Sequence, residues 1–556
     1  MSRDRLIYLP LGGAGEIGMN AYVYGYGPEG KERLILVDLG IAFPDMDTTP
    51  GVDVILPDIS WLEDKLDRLE GVFITHAHED HVGGVGHLHG KLNAQIHARA
   101  FTANHARRKL KEQGHDEGDV TICDPWPATT ELGPFKIGFV PISHSIPESS
   151  ALVIDTPAGR IVHSGDFKID HTPVLGEPFD EDLFREVAKG GVRALVCDST
   201  NVFNAHEGRS ESTVGPNIRE LVAASSGMFV ATTFASNVAR LKSLADAGEA
   251  AGRSICLMGR AMRRMTEAAV EEGILTEFPR TVSPEDAADI PRENLMLIVT
   301  GSQGERRAAS AQLSQGKYFG LEMKQGDTFL FSSKTIPGNE KDVARIINNF
   351  SEMGVDVVSD SDLYHVSGHA NRPDLEAIQA LLDPQVVIPM HGEHRHLREH
   401  AKLADGLGRV GVLAPNGTMV DLAGNKPTVV DHVETGRTYL DGATLVGQFD
   451  GVIRDRIRMA LNGHAVVALM IEDDDQVMED TWVDLRGLPE AGRSRRNLAE
   501  EMERDLAQRL ERVDRKTARD DDALESLIKK SIQQVAQEEI GKRPEVTVLI
   551  TRLTAE

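Results

Sequence analysis

Three histidines and an aspartate lie within six consecutive residues, in the segment His76-Ala77-His78-Glu79-Asp80-His81. This segment comes directly after a short apolar run, Val72-Phe73-Ile74. Neutral imidazole and carboxylate oxygen are ligands that suit Zn²⁺ and similar divalent ions. Because no regular strand or helix directs all four side chains at one point, we expect them on an irregular loop that follows a buried strand. The segment predicts a metal site; the alternative is a polar turn that happens to be rich in histidine.

Further histidine and aspartate residues follow other apolar runs downstream. His144 follows Val140-Pro141-Ile142-Ser143, Asp166 ends His163-Ser164-Gly165-Asp166, and His391 follows Ile388-Pro389-Met390. Each of them alone is more often a structural residue at the end of a strand. In this order behind the first segment, they predict enough ligands for two metal ions.

Length and composition describe a multidomain globular protein. The chain has 556 residues, more than the ~250–300 residues at which a single core stops growing. Cys123, Cys197 and Cys256 lie far apart and form no CxxC pair, which indicates a reducing compartment and argues against a thiolate metal site. The sequence has no apolar signal region near its start and no run of ~18 apolar residues. We therefore expect a cytoplasmic protein without a membrane partner.

The net charge of −27 argues against a nucleic-acid partner only for the chain as a whole. The middle of the chain is locally basic, with Arg240, Lys242, Arg253, Arg260, Arg263, Arg264, Arg306 and Arg307. These residues either follow an RNA backbone or belong to solvated helix faces. Charge alone does not decide between the two.

The spacing of apolar residues predicts an α/β protein. Short apolar runs divided by Gly, Pro, Asn and Asp fill the first third, and from about Ser210 helical stretches alternate with runs such as 295–299. After about Asp450, two helical patterns (500–519 and 524–535) precede a strand-like run at 546–550. These last elements predict a small α/β C-terminal domain, whose helices pack either on a partner or on their own small sheet.

The ligand pattern resembles the metallo-β-lactamase fold, an αβ/βα sandwich. The resemblance implies that one metal is held by His76, His78 and His144. It implies that a second is held by Asp80, His81 and His391, with Asp166 bridging the two ions. Asp38 would orient ligands without touching either metal.

An insertion of unusual size separates the last two ligand motifs. His391 follows Asp166 by 225 positions, far more than a compact lactamase needs, and this matches the nucleic-acid-cleaving β-CASP branch. Two further motifs of that branch are present: Asp198 in Cys197-Asp198-Ser199-Thr200-Asn201, and His369 in 365–370. The alternative for Asp198 is a helix N-cap or turn residue.

Motifs along the whole chain resemble the bacterial ribonuclease J family, namely 11–18, 50–59, 300–305, 336–340 and 543–546. Arg306-Arg307 departs from the Pro-Met expected in many members, which puts the local RNA contacts in doubt. The resemblance implies a metallo-β-lactamase domain at 1–205 and 371–445, and a β-CASP α/β domain inserted at 206–370. A linker at 446–460 would lead to an oligomerisation domain at 461–556, in a homodimer or homotetramer.

The family resemblance also implies an activity. It implies a metal-dependent ribonuclease that acts on RNA as a 5′-to-3′ exonuclease favouring 5′-monophosphate ends, and also as an endonuclease, in RNA maturation and decay. The two divalent ions would be Zn²⁺ in the first place, with Mn²⁺ or Mg²⁺ as alternatives. Water activated near Asp80 would attack the phosphorus, and His369, oriented by Asp198, would assist the leaving 3′-oxygen. The 5′-phosphate pocket would comprise Ser236, Asn237, His365, Val366, Ser367, Gly368 and His369; the alternative makes these ordinary polar turns.

Other readings of the same residues lead elsewhere. Gly13, Gly15 and Gly18 match a dinucleotide fingerprint, yet residues 20–25 resemble a strand rather than a helix, so we interpret the glycines as a turn near the active site. His87 and His89 are expected outside the site, and His394 and His396 on the surface. A small-molecule hydrolase would lack the Asp198 and His369 motifs, and an RNA-binding scaffold without turnover would have lost metal ligands.

Overall fold

The computed structural model describes residues 4–472 and 481–553, and it separates into two units. The larger unit comprises the residues up to Ala42 together with Leu56–Arg437. The smaller unit comprises Phe43–Ile55 and the residues from Thr438 onwards. Residues 1–3, 473–480 and 554–556, which belong to the predicted first and last domains, lie outside the described residues. No helix in the described part of the chain is long and apolar enough to cross a membrane.

Strands predominate in the first part of the chain, and strands and helices alternate in the inserted domain. Residues 5–198 form β1 Arg5–Gly12, β2 Ala14–Gly15, β3 Ala21–Gly27, β4 Arg33–Val37, β5 Val54–Pro57, α1 Ser60–Glu63, β6 Leu69–Phe73, α2 Glu79–Val82, α3 Val85–Leu92, β7 Ile96–Ala98, α4 Ala100–Glu112, β8 Val120–Ile122, β9 Thr130–Leu132, β10 Phe135–Pro141, β11 Ser150–Thr156, β12 Gly159–His163, α5 Glu181–Ala188 and β13 Val192–Asp198. Residues 214–382 form α6 Val214–Ala224, β14 Phe229–Thr232, α7 Val238–Ala250, β15 Ser254–Met258, α8 Arg260–Glu271, α9 Pro284–Ala287, β16 Leu295–Val299, α10 Ala309–Gln315, β17 Thr328–Phe331, α11 Glu340–Glu352, β18 Asp356–Val358 and α12 Arg372–Leu382. Residues 386–432 form β19 Val386–Met390, β20 Gly392–Glu393, α13 His394–Gly406, β21 Val410–Gly411, β22 Thr418–Asp421 and β23 Thr428–His432. The remaining elements are β24 Arg437–Asp441, β25 Thr444–Gly447, α14 Val452–Asn462, β26 His464–Ile471, β27 Trp482–Arg486, α15 Leu498–Leu510, α16 Arg515–Arg519, α17 Asp521–Ile540 and β28 Glu545–Arg552.

Two mixed sheets form the body of the larger unit. One has the strand order β23-β22-β1-β3-β4-β6-β7-β8, and the other β21-β19-β13-β12-β11-β10-β9. Tyr24 and Ile35 of the first sheet share one buried core with Leu152, Val196 and Ile388 of the second. The predicted sandwich of the metallo-β-lactamase type is confirmed.

The inserted domain contains a five-stranded parallel sheet of order β15-β16-β14-β17-β18. All five residues of β16 are buried and apolar, as expected for a strand covered on both faces. Helices α6, α7 and α8 contribute to the core on one face, and α9, α10 and α11 to the core on the other. The sheet therefore presents the carboxyl ends of β14, β15 and β16 at a single edge.

The chain leaves the sandwich after β13 and re-enters it at the neighbouring position. Strand β19 pairs in parallel with β13, with Asp198 opposite Met390. Helix α12, which precedes β19, begins at a capping box in which Asn371 and Asp374 each bond the other's backbone. Because of this register, Asp198 and His391 emerge side by side at the ends of adjacent strands.

The smaller unit contains two three-stranded sheets, β25-β24-β5 and β27-β26-β28. Helices α15 and α17 bury Met502 and Ile528 against Leu469 and Val483 of the second sheet. The two C-terminal helical patterns therefore pack on their own sheet and do not require a partner for burial. Residues 446–460, predicted as a linker, include the first part of α14; the domain boundaries as a whole stay predictions.

Candidate metal centre

The first ligand segment lies between β6 and the start of α3. His76 and His78 are on the loop after β6, but Asp80 and His81 are on the single-turn helix α2. The prediction of an irregular loop was therefore wrong for Asp80 and His81. The amide groups of His81 and Val82 donate to the carbonyl of His78 at 3.0 and 2.9 Å, and these bonds close the helical turn.

His76, His78 and His144 bring one nitrogen atom each within 4.8 Å of the others. His78 Nδ1 lies 3.1 Å from His76 Nε2 and 3.1 Å from His144 Nε2. Burial, with help from neighbouring imidazoles, lowers the pKa of His76 and of His144 well below the ordinary value. Burial also lowers the pKa of His78 to about 4. All three rings are thus neutral near pH 7, the form in which imidazole binds a metal.

Asp80, His81, Asp166 and His391 form a second group whose ligand atoms also lie within 4.8 Å of one another. His391 Nε2 is 3.0 Å from Asp80 Oδ2, and His81 Nε2 is 3.2 Å from Asp166 Oδ2. Burial alone would raise the pKa of both carboxyls, but the charges of His81 and His391 hold each well below its ordinary value. Burial would likewise lower the pKa of His391, yet Asp166, Asp198 and Asp80 raise it to about 10. This group therefore keeps the buried Asp166 carboxylate and the half-buried Asp80 carboxylate ionised, and it strongly favours positive charge between them.

Asp166 stands between the two groups. Its Oδ2 atom lies 3.9 Å from His76 Nε2 and 4.0 Å from His144 Nε2, as well as 3.2 Å from His81 Nε2. Its Oδ1 atom is buried and accepts no hydrogen bond from any described residue. His391 Nδ1 lies 3.5 Å from this oxygen. A buried carboxylate oxygen without a hydrogen bond is costly, and a cation would satisfy it. The donor set and this oxygen both fit a pair of divalent ions that share Asp166.

Asp38 lies behind His81 and orients its ring. The Asp38 carboxylate accepts hydrogen bonds from the Thr75 amide at 2.8 Å and from the Thr75 hydroxyl, and its Oδ2 is 2.7 Å from His81 Nδ1. The Nδ1–H group of His81 therefore donates to Asp38, which leaves Nε2 as the ligand atom.

We expect Asp38→Asn to weaken metal binding by about 10–100-fold, because the ring of His81 loses the charged acceptor that orients it. Asparagine tolerates the left-handed backbone of Asp38 (φ 61°), so the fold is retained. Competition with a chromogenic chelator measures the change. Asp119→Asn is the matched control, since Asp119 Oδ2 accepts from His89 Nε2 at 2.9 Å outside the centre. Equal metal affinity in the two variants would contradict the assignment.

Asp198 and His369 lie beside the two ligand groups and form a third group of close polar atoms with Asp166 and His391. His369 Nδ1 is 2.8 Å from Asp198 Oδ2 and 3.9 Å from Asp166 Oδ2. Burial would lower the pKa of His369, but the charge and hydrogen bond of Asp198, with the charge of Asp166, raise it. Asp198 Oδ1 also accepts from the Thr200 amide at 2.9 Å, so Asp198 is a turn residue as well as a histidine partner.

The residues predicted for a phosphate pocket have different surroundings. Ser236 Oγ lies 3.1 Å from His78 Nε2, whereas Asn237 caps α7 by accepting from the Arg240 amide at 2.9 Å. In the other loop, Val366 is buried in the core of the inserted domain, and Ser367 Oγ accepts from Asn201 Nδ2 at 2.8 Å. These bonds leave Ser236 as the side chain nearest to the first ligand group.

The other two residues of that loop are also fixed in place. The nitrogen Nδ1 of His365 is buried without a hydrogen-bond partner among the described residues, and burial lowers the pKa of this side chain to about 3. His144 Nδ1 donates to the Gly368 carbonyl at 2.6 Å. A Cβ atom at Gly368 would lie 2.5 Å from Ser145 Oγ and 2.9 Å from His144 Cε1, so only glycine fits there. The loop therefore packs directly against a metal-ligand candidate.

The glycine turn near the start of the chain supports the centre, as predicted. The carbonyl of Gly13 accepts from the amide of His391 at 2.7 Å, and β2 pairs with β20. Asn20, which sequence reasoning missed, donates to the Asp80 carbonyl at 2.9 Å and lies 3.0 Å from His81 Nε2. Its position two residues after the last glycine of the turn was the available signal. Thr200, with Oγ1 2.9 Å from His391 Nδ1, was also missed.

One expectation for the remaining histidines was wrong. His394 is exposed as expected, but His396 is buried, because its Nδ1 turns back to accept from the Glu393 amide at 3.1 Å at the start of α13. His87 is half-buried, and His89 is buried against Asp119 outside the centre.

Arg240 is neither an RNA contact nor part of a solvated helix face. Its side chain is fully buried, binds Glu211 through two nitrogens at 2.6 and 2.9 Å, and donates to the carbonyls of Ser332 and Tyr364. Lys242 pairs with Asp246 on the same helix. The basic segment is therefore partly structural.

Arg240→Met should destabilise the inserted domain by about 3–5 kcal/mol, because Glu211 is left buried without its partner. Arg240→Met combined with Glu211→Leu should lose less than the single variant, since no charge then stays buried. Lys242→Met is the control and should change stability by less than about 0.5 kcal/mol. Thermal unfolding monitored by circular dichroism compares the four proteins. If Arg240→Met unfolded at the same temperature as the wild type, the structural role of Arg240 would be contradicted.

Comparison with protein families covers most of the chain. Residues 15–195 match the metallo-beta-lactamase superfamily, and residues 226–350 match the ribonuclease J beta-CASP domain. Residues 355–415 match the Zn-dependent metallo-hydrolase RNA specificity domain, and residues 451–553 match the ribonuclease J C-terminal domain. The four matches follow the order in which the sandwich, the inserted domain, the return segment and the smaller unit occur.

Individual relatives agree with these matches over the full length. Ribonuclease J of Sinorhizobium meliloti is 38% identical over 99% of this chain and 98% of its own, and ribonuclease J of Thermus thermophilus is 32% identical over 88% and 86%. A solved structure of a protein of unknown function from Enterococcus faecalis V583 is 16% identical with a TM-score of 0.52, covering 75% of this chain and all of that one. At this identity the last likeness concerns the fold alone. By its matched domains and its full-length relatives, the chain belongs to the ribonuclease J family.

Proposed function

We propose that this protein hydrolyses RNA phosphodiester bonds in a reaction that depends on two divalent ions, and that it trims RNA from 5′-monophosphate ends and also cuts internally, in RNA maturation and decay. The observation that carries the proposal is the position of Asp166 between two groups of ligands, with the Asp198–His369 pair beside it. Membership of the ribonuclease J family supports RNA as the substrate.

Different residues would hold the two ions and orient the water. His76, His78 and His144 would hold one ion, Asp80, His81 and His391 the other, and Asp166 both. When bound, such a pair neutralises phosphate charge and makes water a stronger nucleophile. Asp80, whose side chain is 28% exposed, would orient the water that attacks the phosphorus.

His369 would donate a proton to the leaving 3′-oxygen. Its Nδ1 is held by Asp198, so the ring presents Nε2 to the substrate, and its raised pKa favours the protonated form that a general acid needs. Asp198 acts through His369 and is a positioning residue. Each cleavage would leave a 3′-hydroxyl on the upstream product and a 5′-phosphate on the downstream product.

A 5′-monophosphate would bind between Ser236 and the loop that contains His365, Val366, Ser367, Gly368 and His369. The Ser236 hydroxyl is 3.1 Å from His78 Nε2, and Asn201 Nδ2 donates to the Ser367 hydroxyl at 2.8 Å and to the His369 carbonyl at 3.2 Å. Asn237 would act indirectly, as the cap that fixes the Ser236 turn. A triphosphate would bring two further charged groups to the same side chains.

Zn²⁺ is the first choice for both ions, with Mn²⁺ or Mg²⁺ as alternatives, because imidazole ligands predominate in the first group. The matched family model carries the word Zn-dependent in its description. A homodimer or homotetramer and a cytoplasmic location stay predictions. Light scattering tests the oligomeric state.

The test of the proposed function is digestion of one internally labelled RNA that carries either a 5′-monophosphate or a 5′-triphosphate, with and without chelator. Chelator-sensitive release of mononucleotides, faster from the monophosphate, is the expected result. Internal fragments formed regardless of the 5′ end would support ribonuclease activity and contradict the 5′-phosphate pocket. Absence of cleavage with every metal would favour the small-molecule hydrolases that share the fold.

A further inference from the structure

Two ligands of the second group are carried by the single-turn helix α2, and this helix is held from outside. A helix that comprises only Glu79–Val82 leaves its last carbonyl groups without partners inside the helix. The amide of Asn20 donates to the Asp80 carbonyl at 3.0 Å. The amide of Leu39 donates to the His81 carbonyl at 2.8 Å. The position of both ligands therefore depends on neighbouring segments of the chain.

Asn20 binds the Asp80 carbonyl twice. Besides its backbone amide, its side-chain Nδ2 donates to the same oxygen at 2.9 Å. This Nδ2 atom also lies 3.0 Å from His81 Nε2, the ring nitrogen that is 3.2 Å from Asp166 Oδ2. Asn20 is completely buried, so water does not compete for these contacts. A single carboxamide group thus lies against both ligands that α2 carries.

Tyr22 fixes the orientation of that carboxamide group. Its hydroxyl donates to Asn20 Oδ1 at 2.7 Å, which turns Nδ2 toward α2. Burial raises the pKa of Tyr22 well above its ordinary value, so the hydroxyl keeps the proton that it donates. Without this bond the carboxamide would be free to rotate away from the Asp80 carbonyl.

Gly13 brings a third ligand of the second group to the same place. A Cβ atom at Gly13 would lie 2.2 Å from Asn20 Oδ1 and 2.3 Å from the Tyr22 hydroxyl, so only glycine fits there. The carbonyl of Gly13 accepts from the His391 amide at 2.7 Å. Within the described part of the chain, the side chains of Asn20 and Tyr22 form no hydrogen bond to the histidines of the first group. These contacts therefore concern the second group alone.

We propose that Asn20 and Tyr22 are positioning residues for the second metal ion. Asn20 holds Asp80 and His81 in the arrangement that binds the ion, and Tyr22 acts through Asn20. Because a fixed arrangement reduces the ordering that binding requires, the two residues set the affinity of the second site without touching the ion. The first site keeps its affinity when either residue is changed. The inference rests on the proposed function, since it takes two ions as its starting point.

The test compares Tyr22→Phe with the control Tyr24→Phe. Both tyrosines belong to β3 and are completely buried, and each variant loses one hydroxyl contact, to Asn20 or to His163 Nδ1 at 2.8 Å. We expect the melting temperatures of the two metal-free variants to fall by similar amounts. Titration of the metal-free proteins with Zn²⁺ against a chromogenic chelator gives a Kd for each ion. Tyr22→Phe should raise one of the two Kd values about tenfold, and Tyr24→Phe should leave both within about threefold.

Two further variants identify the route and the affected ion. Asn20→Ala should raise the same Kd by about 10–100-fold. Adding Tyr22→Phe to Asn20→Ala should raise it no further, because Tyr22 acts through Asn20. In an Asp80→Asn background, which should retain only the first ion, Asn20→Ala should leave the Kd of that ion unchanged.

Three results would overturn the inference: equal changes of metal affinity in Tyr22→Phe and Tyr24→Phe, additive effects in the double variant, or weaker binding of the ion that Asp80→Asn retains. Binding of one Zn²⁺ by the wild type would overturn the two-ion centre and this inference with it. Failure to cleave RNA by a wild-type protein that binds two ions would count against the proposed function alone, since the titration needs no turnover.

Discussion

His369→Ala is expected to lower kcat for RNA by about 10²–10⁴-fold while both metals stay bound. The side chain is 2.8 Å from Asp198 and belongs to neither of the two groups that would hold the ions, so its loss removes a proton donor and leaves the ligands in place. The measurement is single-turnover cleavage of a 5′-monophosphorylated RNA, together with metal content by mass spectrometry after gel filtration. His87→Ala is the control, since His87 is a half-buried histidine outside the centre.

The role of His369 as a general acid leads to a second prediction, which concerns the leaving group. A substrate whose leaving group is p-nitrophenolate needs no proton at departure, so the same variant should cleave it within about tenfold of the wild-type rate. Asp198→Asn should also slow RNA cleavage more than cleavage of the p-nitrophenolate substrate, but by a smaller factor. The substitution leaves His369 in place and only weakens the hydrogen bond that orients its ring. Equal losses on both substrates would contradict the assignment and place His369 in substrate binding instead.

Asp166→Asn is expected to remove both ions and to lower RNA turnover by more than about 10³-fold. One oxygen of Asp166 lies within 4.0 Å of a nitrogen from each ligand group, so a neutral amide there weakens both sites at once. Asp80→Asn should empty only the second site, since Asp80 belongs only to the second group.

Asp170→Asn is the matched control for Asp166→Asn, because both carboxyls are 1% exposed and only four positions apart. Asp170 pairs with Lys168 at 2.9 Å and touches neither group. This variant should keep two ions per chain and lose only stability. Retention of one ion by Asp166→Asn would show that Asp166 is a terminal ligand and not a bridge.

The grouping of the candidate metal ligands was predictable from the sequence because its signal is local. Histidine and aspartate at fixed spacing after apolar runs need only the strand ends to meet, and the register of β13 and β19 brings them together. The return of the chain to the sandwich after a long insertion was also predictable, because the spacing and the order of the motifs indicate it. The helical turn that carries Asp80 was not, because a single turn leaves no periodic pattern.

Other parts of the site left no signal of this kind. Asn20 and Thr200 are neutral residues that act through hydrogen bonds to the candidate ligands, and such bonds have no characteristic spacing. The basic segment was ambiguous because a charged residue looks the same in sequence whether it is buried or exposed. Arg240 proved to be buried in an ion pair, while Arg260 lines an open cavity.

The placement of β19 beside β13 has a consequence for the protein's synthesis on the ribosome. Asp166 is made early, but His391 follows it by 225 positions, and its strand cannot pair until the inserted domain has been produced. At about 5–20 residues per second, that interval lasts roughly 10–45 s. During this time the nascent chain sits beside the messenger RNA that encodes it, with an incomplete second ligand group. The fold thereby delays completion of the second ligand group until His391, at position 391 of 556, has been made.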